Sequence, residues 1–436
     1  MITRVVILGG SWRPWLVALL IYAVGIGAYV SWRAERSTDF RDYWRTALHW
    51  RQTGELSAEL GVHNYLPCFT ILMTPWSYLP LQVAIVLFVW LSLAALAVVA
   101  VLCERLVRDV VSRAAVQLAL LLVAPYIHSC CVLGAVDLLV LALVVAFINA
   151  VLRRRDAWAG AALGLAIAIK VIPALLLLYL LLVRRWRALS ATILTIGLVA
   201  GALPLAVLGP DRLRGELARY REVALLEHSA KATIFADQPR KAIYTNNALP
   251  IVLRRLLTPL NANPGDERVP FFVNIADWPR QSIWATYLIA GGAIMLLCAL
   301  ATIRHRRRQQ DDDPLRTAWA LAAWCCAMIL LSPLVWTRYL LLATWPLVLI
   351  ADVAIGGRGA TPRTTEGNPR ELNSLVIASR LVLALWGLGV ASLAWPAARA
   401  AGSLLFCVLA VWGLCVFVCL IDFRTGGHRI PADTSR

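Results

Sequence analysis

Apolar runs long enough to cross a bilayer recur from one end of this 436-residue chain to the other. A hydrocarbon core of about 30 Å is crossed by about 20 helical residues. Runs of that kind, some shorter, fall at 14–32, 81–103, 114–127, 132–152, 158–170, 171–184, 188–208, 283–303, 317–332, 339–355, 375–395 and 401–421. In lipid, a spanning segment must satisfy its own backbone hydrogen bonds, which leaves helices or closed barrels. Runs this long and continuous are helical, so the expectation is an all-α polytopic protein with about 12 transmembrane helices. The composition agrees: 60% of residues are hydrophobic and 15% charged, against about 25% charged in soluble domains. No internal repeat divides the chain, and residues 1–436 read as one integral membrane domain.

The net charge of +17 does not point to nucleic acid, because the arginines stand in short clusters between apolar runs. One set of loops holds Arg105, Arg108 and Arg113, then Arg153–Arg155, then Arg184, Arg185 and Arg187, then Arg304 and Arg306–Arg308. The opposite short turns, around 128–131 and 396–400, hold only Arg399. Lys/Arg bias in short loops marks the cytoplasmic side. The first set is therefore expected inside, with both termini, in a multi-pass plasma-membrane protein. The apolar stretch behind Arg4 and Arg13 is too long for a signal-peptide core and reads as an uncleaved anchor. Residues 33–80 and 209–282 come out as extracytoplasmic loops. Residues 356–374, with "RGATPRTTEGNPR", read as a cytoplasmic linker.

The charge rule also splits 158–183. A single span there would put Arg153–Arg155 and Arg184–Arg187 on opposite sides. Two short spans turning near Lys170-Val171-Ile172-Pro173 keep both inside, each only about 20 Å long. Helices that short survive where protein or a water-filled cavity covers their ends. The expectation is a cavity open to the outer side with Lys170 near its floor, and the short run 317–332, ending at Ser332-Pro333, points the same way.

On that outer side, "DFRDYWRTALHWRQTGEL" carries apolar and aromatic residues at near-helical spacing and a possible terminator, Gly54. It reads as an amphipathic helix in the membrane interface. Asp39 is open to two readings, a helix N-cap or a working carboxylate; Asp42 can equally be a solvated face. Lys170 and Arg338 are ionisable groups at membrane depth, where function competes with snorkelling. Asp137 can serve simply as a charge at a helix N-terminus. His128 and His228 read as surface or interfacial residues. The ten cysteines lack metal-ligand spacing and read as small apolar fillers. Together, a carboxylate, two cations and many aromatics at one mouth suit an anionic lipid head group: cations hold a phosphate and a carboxylate takes a proton from an attacking hydroxyl.

These residues carry a resemblance. "TDFRDYW…TGEL…NYLPCFTILMTPWSYLPL" (38–81), "AGAALGLAIAIKVIPALLLLYLLLVRRWRAL" (159–189), "NNALPIVLRRLL" (246–257) and "LLSPLVWTRYLLLATWPLVL" (330–349) follow one another as in GT-C-type membrane glycosyltransferases of glycosyltransferase family 87. That family includes polyprenol-phosphate-mannose-dependent mannosyltransferases. The chain departs from it at Gly134-Ala135-Val136-Asp137, where Gly-Gln is common before the acid or amide. It departs also at Asn247, where Gln is common, and at Thr337-Arg338-Tyr339, where an Asp/His-rich triplet is common. The resemblance implies a polyprenyl-phosphate sugar donor and a glycolipid or glycan acceptor at the extracytoplasmic face, joined by an inverting displacement with no cofactor or metal. It implies that Asp39 is the general base. From the segments that carry it, Asp42, Tyr65, Lys170, Asn246, Asn247, Arg338 and Tyr339 are the expected substrate contacts.

The rival from another class is a transporter or flippase for a lipid-linked sugar. Transporters pair two halves around midplane sites, whereas here the polar residues gather at one face. A noncatalytic scaffold would leave Asp39 dispensable.

Overall fold

Helices occupy all twelve expected segments in the computed structural model, which describes residues 11–36, 39–56, 65–107, 112–237, 239, 242–263, 270–307, 314–356 and 369–421. Nine helices among the described residues are long and apolar enough to cross a membrane, and three more are apolar but shorter. The first of the nine, α1 (Arg13–Trp32), is followed by α2 (Asp39–Thr53), which Gly54 ends in a left-handed conformation (φ 69°). A short α3 (Pro67–Met73) leads into α4 (Leu81–Val107). Helix α1 packs on α4 at Gly27, close beside the Trp90 ring, whose indole N–H donates to Ala23 O.

Helix α5 (Arg113–Leu133) runs six residues past the run expected at 114–127. Pro125 lies inside it, and the turn expected at 128–131 falls at 134–136. A proline removes one backbone donor, but neighbouring helices accommodate such breaks within a membrane bundle. The stop is Gly134, whose N–H and that of Ala135 bond back to Cys131 O and Cys130 O in a left-handed C-cap. Asp137 is consequently the first residue of α6 (Asp137–Leu152), not one buried within it.

Next come the short helices. Helix α7 (Asp156–Ile169) ends one residue before Lys170, whose backbone is extended; a 3₁₀ turn at Ile172–Leu175 opens α8 (Leu176–Leu182). The helix therefore breaks where Lys170 and Pro173 predict it. Helix α9 (Trp186–Ile196) continues through a π-helical stretch, Gly197–Ala202, into α10 (Leu203–Leu208). Gly160 and Gly164 of α7 press against α9: a Cβ at either would fall within 2.6 Å of Ala188 O or Thr195 Cβ. This is the small-xxx-small packing that lets membrane helices approach backbone to backbone.

The segment between α10 and the next span holds α11 (Pro210–Tyr220), a π-helical stretch (Arg221–Glu227), α12 (Ala230–Phe235) and α13 (Leu249–Leu257). After α14 (Arg280–Arg307), the centre of the bundle is α15 (Pro314–Leu331) with the continuous helix 337–354, whose α-helical part is α16 (Thr344–Ala354). Buried residues make up 89% of the 337–354 span but only 17% of α1, which places one at the core and the other at the edge. Helix α17 (Pro369–Ala391), the one-turn α18 (Pro396–Ala400) and α19 (Ser403–Leu420) close the fold. Most of the expected linker, 357–368, lies outside the described residues, and its end, 369–374, is already helical. All ten cysteines are free thiols, nine of them buried.

Candidate active site

The start of α2 is fixed by one close contact. Phe40 is buried against Phe88, ring centroids 4.8 Å apart, and edge-on to Trp76. Its Cβ faces Gly134 so closely that a Cβ added there would stand 2.5 Å away. Gly134 is thus required twice, by its positive φ of 62° and by this approach. The contact seats α2 on the α5–α6 turn, with Asp39 beside Asp137. Gly134→Ala is expected to lower stability by about 2 kcal/mol or more, from left-handed strain plus overpacking. It should also reduce activity by displacing Asp39; unchanged thermal unfolding of the purified variant would refute the contact.

Four charged side chains from four elements meet here. Arg338 Nη2 lies 2.7 Å from Asp39 Oδ2, and Arg338 Nε lies 3.2 Å from Asp137 Oδ2. Lys170 Nζ is 2.5 Å from Asp137 Oδ1 and 3.6 Å above the Tyr339 ring. The order Asp39–Arg338–Asp137–Lys170 alternates in sign and sums to zero. That is the condition for keeping ions out of water, since an unpaired buried charge is strongly unfavourable. The pairs are not equivalent. Arg338 and Lys170 both donate aligned hydrogen bonds to Asp137. Asp39 Oδ2 is close to Arg338 but takes no aligned hydrogen bond, so it is the looser member. Burial pushes the Asp39 carboxyl above its ordinary range, while Arg338 opposes the rise. The Asp39 carboxylate turns toward Arg338.

The aromatic residues wall this cluster. Tyr65 stacks on Phe69 at 4.3 Å, and its hydroxyl pairs with that of Tyr43 at 2.7 Å. Asp42 stands apart, beside Arg41 at 3.3 Å and partly exposed, while Arg45 pairs with Glu35. Asn246 and Asn247 are buried and hold backbone: Asn246 Oδ1 accepts from Val335 N and Ala248 N, and Asn247 N donates to Val335 O. They tie the segment between α10 and α14 to the stretch of chain that presents Arg338.

A cavity of about 320 Å³ begins at Lys170 and Tyr339 and runs between Ile172, Tyr220, His228 and Leu334. Its lining is largely apolar. Lys170 and Tyr339 belong to both cavity and cluster; Asp39, Asn246 and Asn247 do not line the cavity. Two features were undervalued in the sequence. Asp137 is the hub of the cluster, and the available signal was an acid at an outer turn in a chain with a lysine and an arginine at membrane depth. His228, whose Nδ1 pairs with Val223 O, lines the cavity. His128 pairs with Tyr22 instead. Among the described residues, no three His, Cys, Asp or Glu side chains converge to hold a metal.

No curated protein matches the chain. The family model of glycosyltransferase family 87 matches residues 64–333. The match contains Tyr65, Asp137, Lys170, Asn246 and Asn247, whereas Asp39 and Arg338 lie outside it. It covers more than half of a chain built of membrane-length apolar helices, and the protein therefore belongs to glycosyltransferase family 87, the membrane glycosyltransferases whose spans and loop order its sequence resembles.

Proposed function

We propose that the protein transfers a sugar, a hexose such as mannose, from a polyprenyl-phosphate donor to a glycolipid or glycan acceptor at the extracytoplasmic face of the plasma membrane, with inversion. The observation that carries this reading is the alternating ion chain at the head of an apolar cavity. The cavity suits a prenyl chain, and Lys170 at its end suits the donor phosphate. Arg338 is the second phosphate contact. Its transfer from Asp39 to the phosphate leaves the Asp39 carboxylate free to act.

In the step itself, Asp39 takes the proton of the acceptor hydroxyl as the oxygen bonds to the anomeric carbon. The bond from that carbon to the phosphate oxygen breaks, and its electron pair leaves with the polyprenyl phosphate. Attack and departure on opposite faces give inversion, as with a carboxylate base in inverting glycoside chemistry. Phosphate leaves readily, so no dedicated acid is needed. Tyr65 and Tyr339 offer faces for the sugar, Asp42 stands at the rim for the acceptor, and Asn246 and Asn247 hold the Arg338 segment in register.

The test is transfer by the purified protein in liposomes from polyprenyl-phosphate mannose and from a nucleotide-linked mannose. Product should form from the lipid donor with inverted configuration; transfer from the nucleotide donor alone would overturn the reading. Sidedness is tested separately. A cysteine at exposed Arg214 should react with an impermeant maleimide in intact cells, against the low background of buried native thiols. Labelling only after permeabilisation would reverse the orientation.

A further inference from the structure

A second concentration of charge lies next to the ion chain, shares none of its residues and has no counter-charge among the described residues. Arg255 of α13 is fully buried, and two of its nitrogens donate to Ile243 O at 3.1 Å and Asn246 O at 2.7 Å. Arg399 of α18 is half-buried; it donates to Thr337 Oγ1 at 3.1 Å and stacks 5.2 Å from the Tyr244 ring centroid. Neither guanidinium forms an ion pair with a described carboxylate, and the Nε of each has no hydrogen-bond partner. Nearby, the Tyr126 hydroxyl and Asn247 Oδ1 are buried and also without partners. The two arginines are brought together by a tight contact: a Cβ on Gly402 would meet Val252 Cγ1 at 2.5 Å. Arg255 lies one helical turn after Val252, and Arg399 three residues before Gly402.

Such an arrangement is unfavourable by itself. Burial and the neighbouring Arg399 pull the Arg255 guanidinium down to about 9, which reflects a cation short of solvent and of anions. A groove of about 480 Å³ runs between α17 and α19 and reaches the Arg399 helix at Trp395 and Ala398; Leu385, Leu388, Gly389 and Phe406 also line it. Leu388, Trp395 and Phe406 are exposed, and Ala398 immediately precedes Arg399. The groove shares no lining residue with the Lys170 cavity.

We propose that this is a second lipid site, in which Arg399 and Arg255 take the phosphate of an anionic phospholipid and the α17–α19 groove takes its acyl chain. The guanidinium fork suits phosphate oxygens, and Thr337 lies next in sequence to Arg338, so an occupied site borders the ion chain. The proposal concerns binding and does not depend on the transfer reaction.

Native mass spectrometry of the full chain in detergent can test it, with phosphatidic acid, diacylglycerol of the same chains, and inorganic phosphate as probes. Phosphatidic acid should bind saturably and more tightly than diacylglycerol. Arg399→Gln should weaken that binding roughly tenfold or more, and Arg214→Gln, an exposed cation elsewhere, should leave it unchanged. Ala398→Phe, which fills the groove, should weaken phosphatidic acid but not inorganic phosphate. Equal binding of phosphatidic acid and diacylglycerol to the wild type would overturn the proposal, as would undiminished binding in Arg399→Gln. Phosphate binding with no effect of Ala398→Phe on the lipid would overturn the lipid assignment in favour of a free anion. Arg399 is half-exposed, so its variant does not share the folding risk of Arg255→Gln. Loss of transfer in Asp39→Asn with intact lipid binding would separate the two sites.

Discussion

Asp39→Asn is expected to lower sugar transfer from a polyprenyl-phosphate donor at least about a hundredfold, with expression retained and a loss of stability smaller than that of Arg338→Gln, because Asp39 is the looser member of the ion chain. General-base catalysis contributes about 10²–10⁴-fold, and the amide keeps the shape while removing the basicity. Asp42→Asn should lose far less, because Asp42 faces Arg41 rather than the ion chain. The pH profile sharpens the test. The base works only when deprotonated, so the rate should rise with pH through the Asp39 pKa. Burial has raised that pKa in the folded protein, so the acid limb should lie above the ordinary carboxylate range, and it should vanish in Asp39→Asn. Near-normal transfer by Asp39→Asn would make Asp39 a structural charge, and the base would have to be Asp137, Asp42 or an acid of the 209–282 loop.

Arg338→Gln should be the most disruptive single change. It leaves Asp39 and Asp137 facing each other with Lys170 as the sole cation of the chain. Removing one partner from a buried ion pair typically costs about 3–5 kcal/mol, because the remaining charge is stranded. We expect a stability loss of that order and no measurable transfer. Adding Asp39→Asn should recover much of the stability by restoring neutrality, but none of the activity. Arg338→Lys should sit between, since one ammonium cannot reach both carboxylates with the geometry of a guanidinium. An Arg338→Gln protein with wild-type thermal unfolding would show that the ion chain does not hold these elements together.

Much of the architecture was legible before any coordinates. The helical segments follow from the local sum of hydropathy, and α2 follows from the periodicity of Phe40, Tyr43, Ala47 and their neighbours. The break after Ile169 follows from a lysine and a proline three residues apart in an apolar run. The α5–α6 turn falls later than the expected 128–131, because Pro125 is tolerated within the bundle and the stop is a glycine that also has to admit Phe40.

The candidate site was legible only as an inventory. Asp39, Lys170 and Arg338 stood out because each is ionisable where ionisation is unfavourable. Sequence determined that a membrane bundle would have to bury these charges, and that burial demanded neutral pairing. Only the tertiary structure decided the pairing. Asp137 became the hub through contacts 33 residues away to Lys170 and 201 residues away to Arg338. The equally acidic Asp42 was left to its neighbour Arg41, and Asn246 was turned into a brace for Val335. Hydropathy and helix periodicity are properties of neighbours along the chain, whereas an ion pair depends on the rotation and depth at which separate helices pack. Here those were set by approaches such as Gly134 to Phe40, which no local pattern encodes.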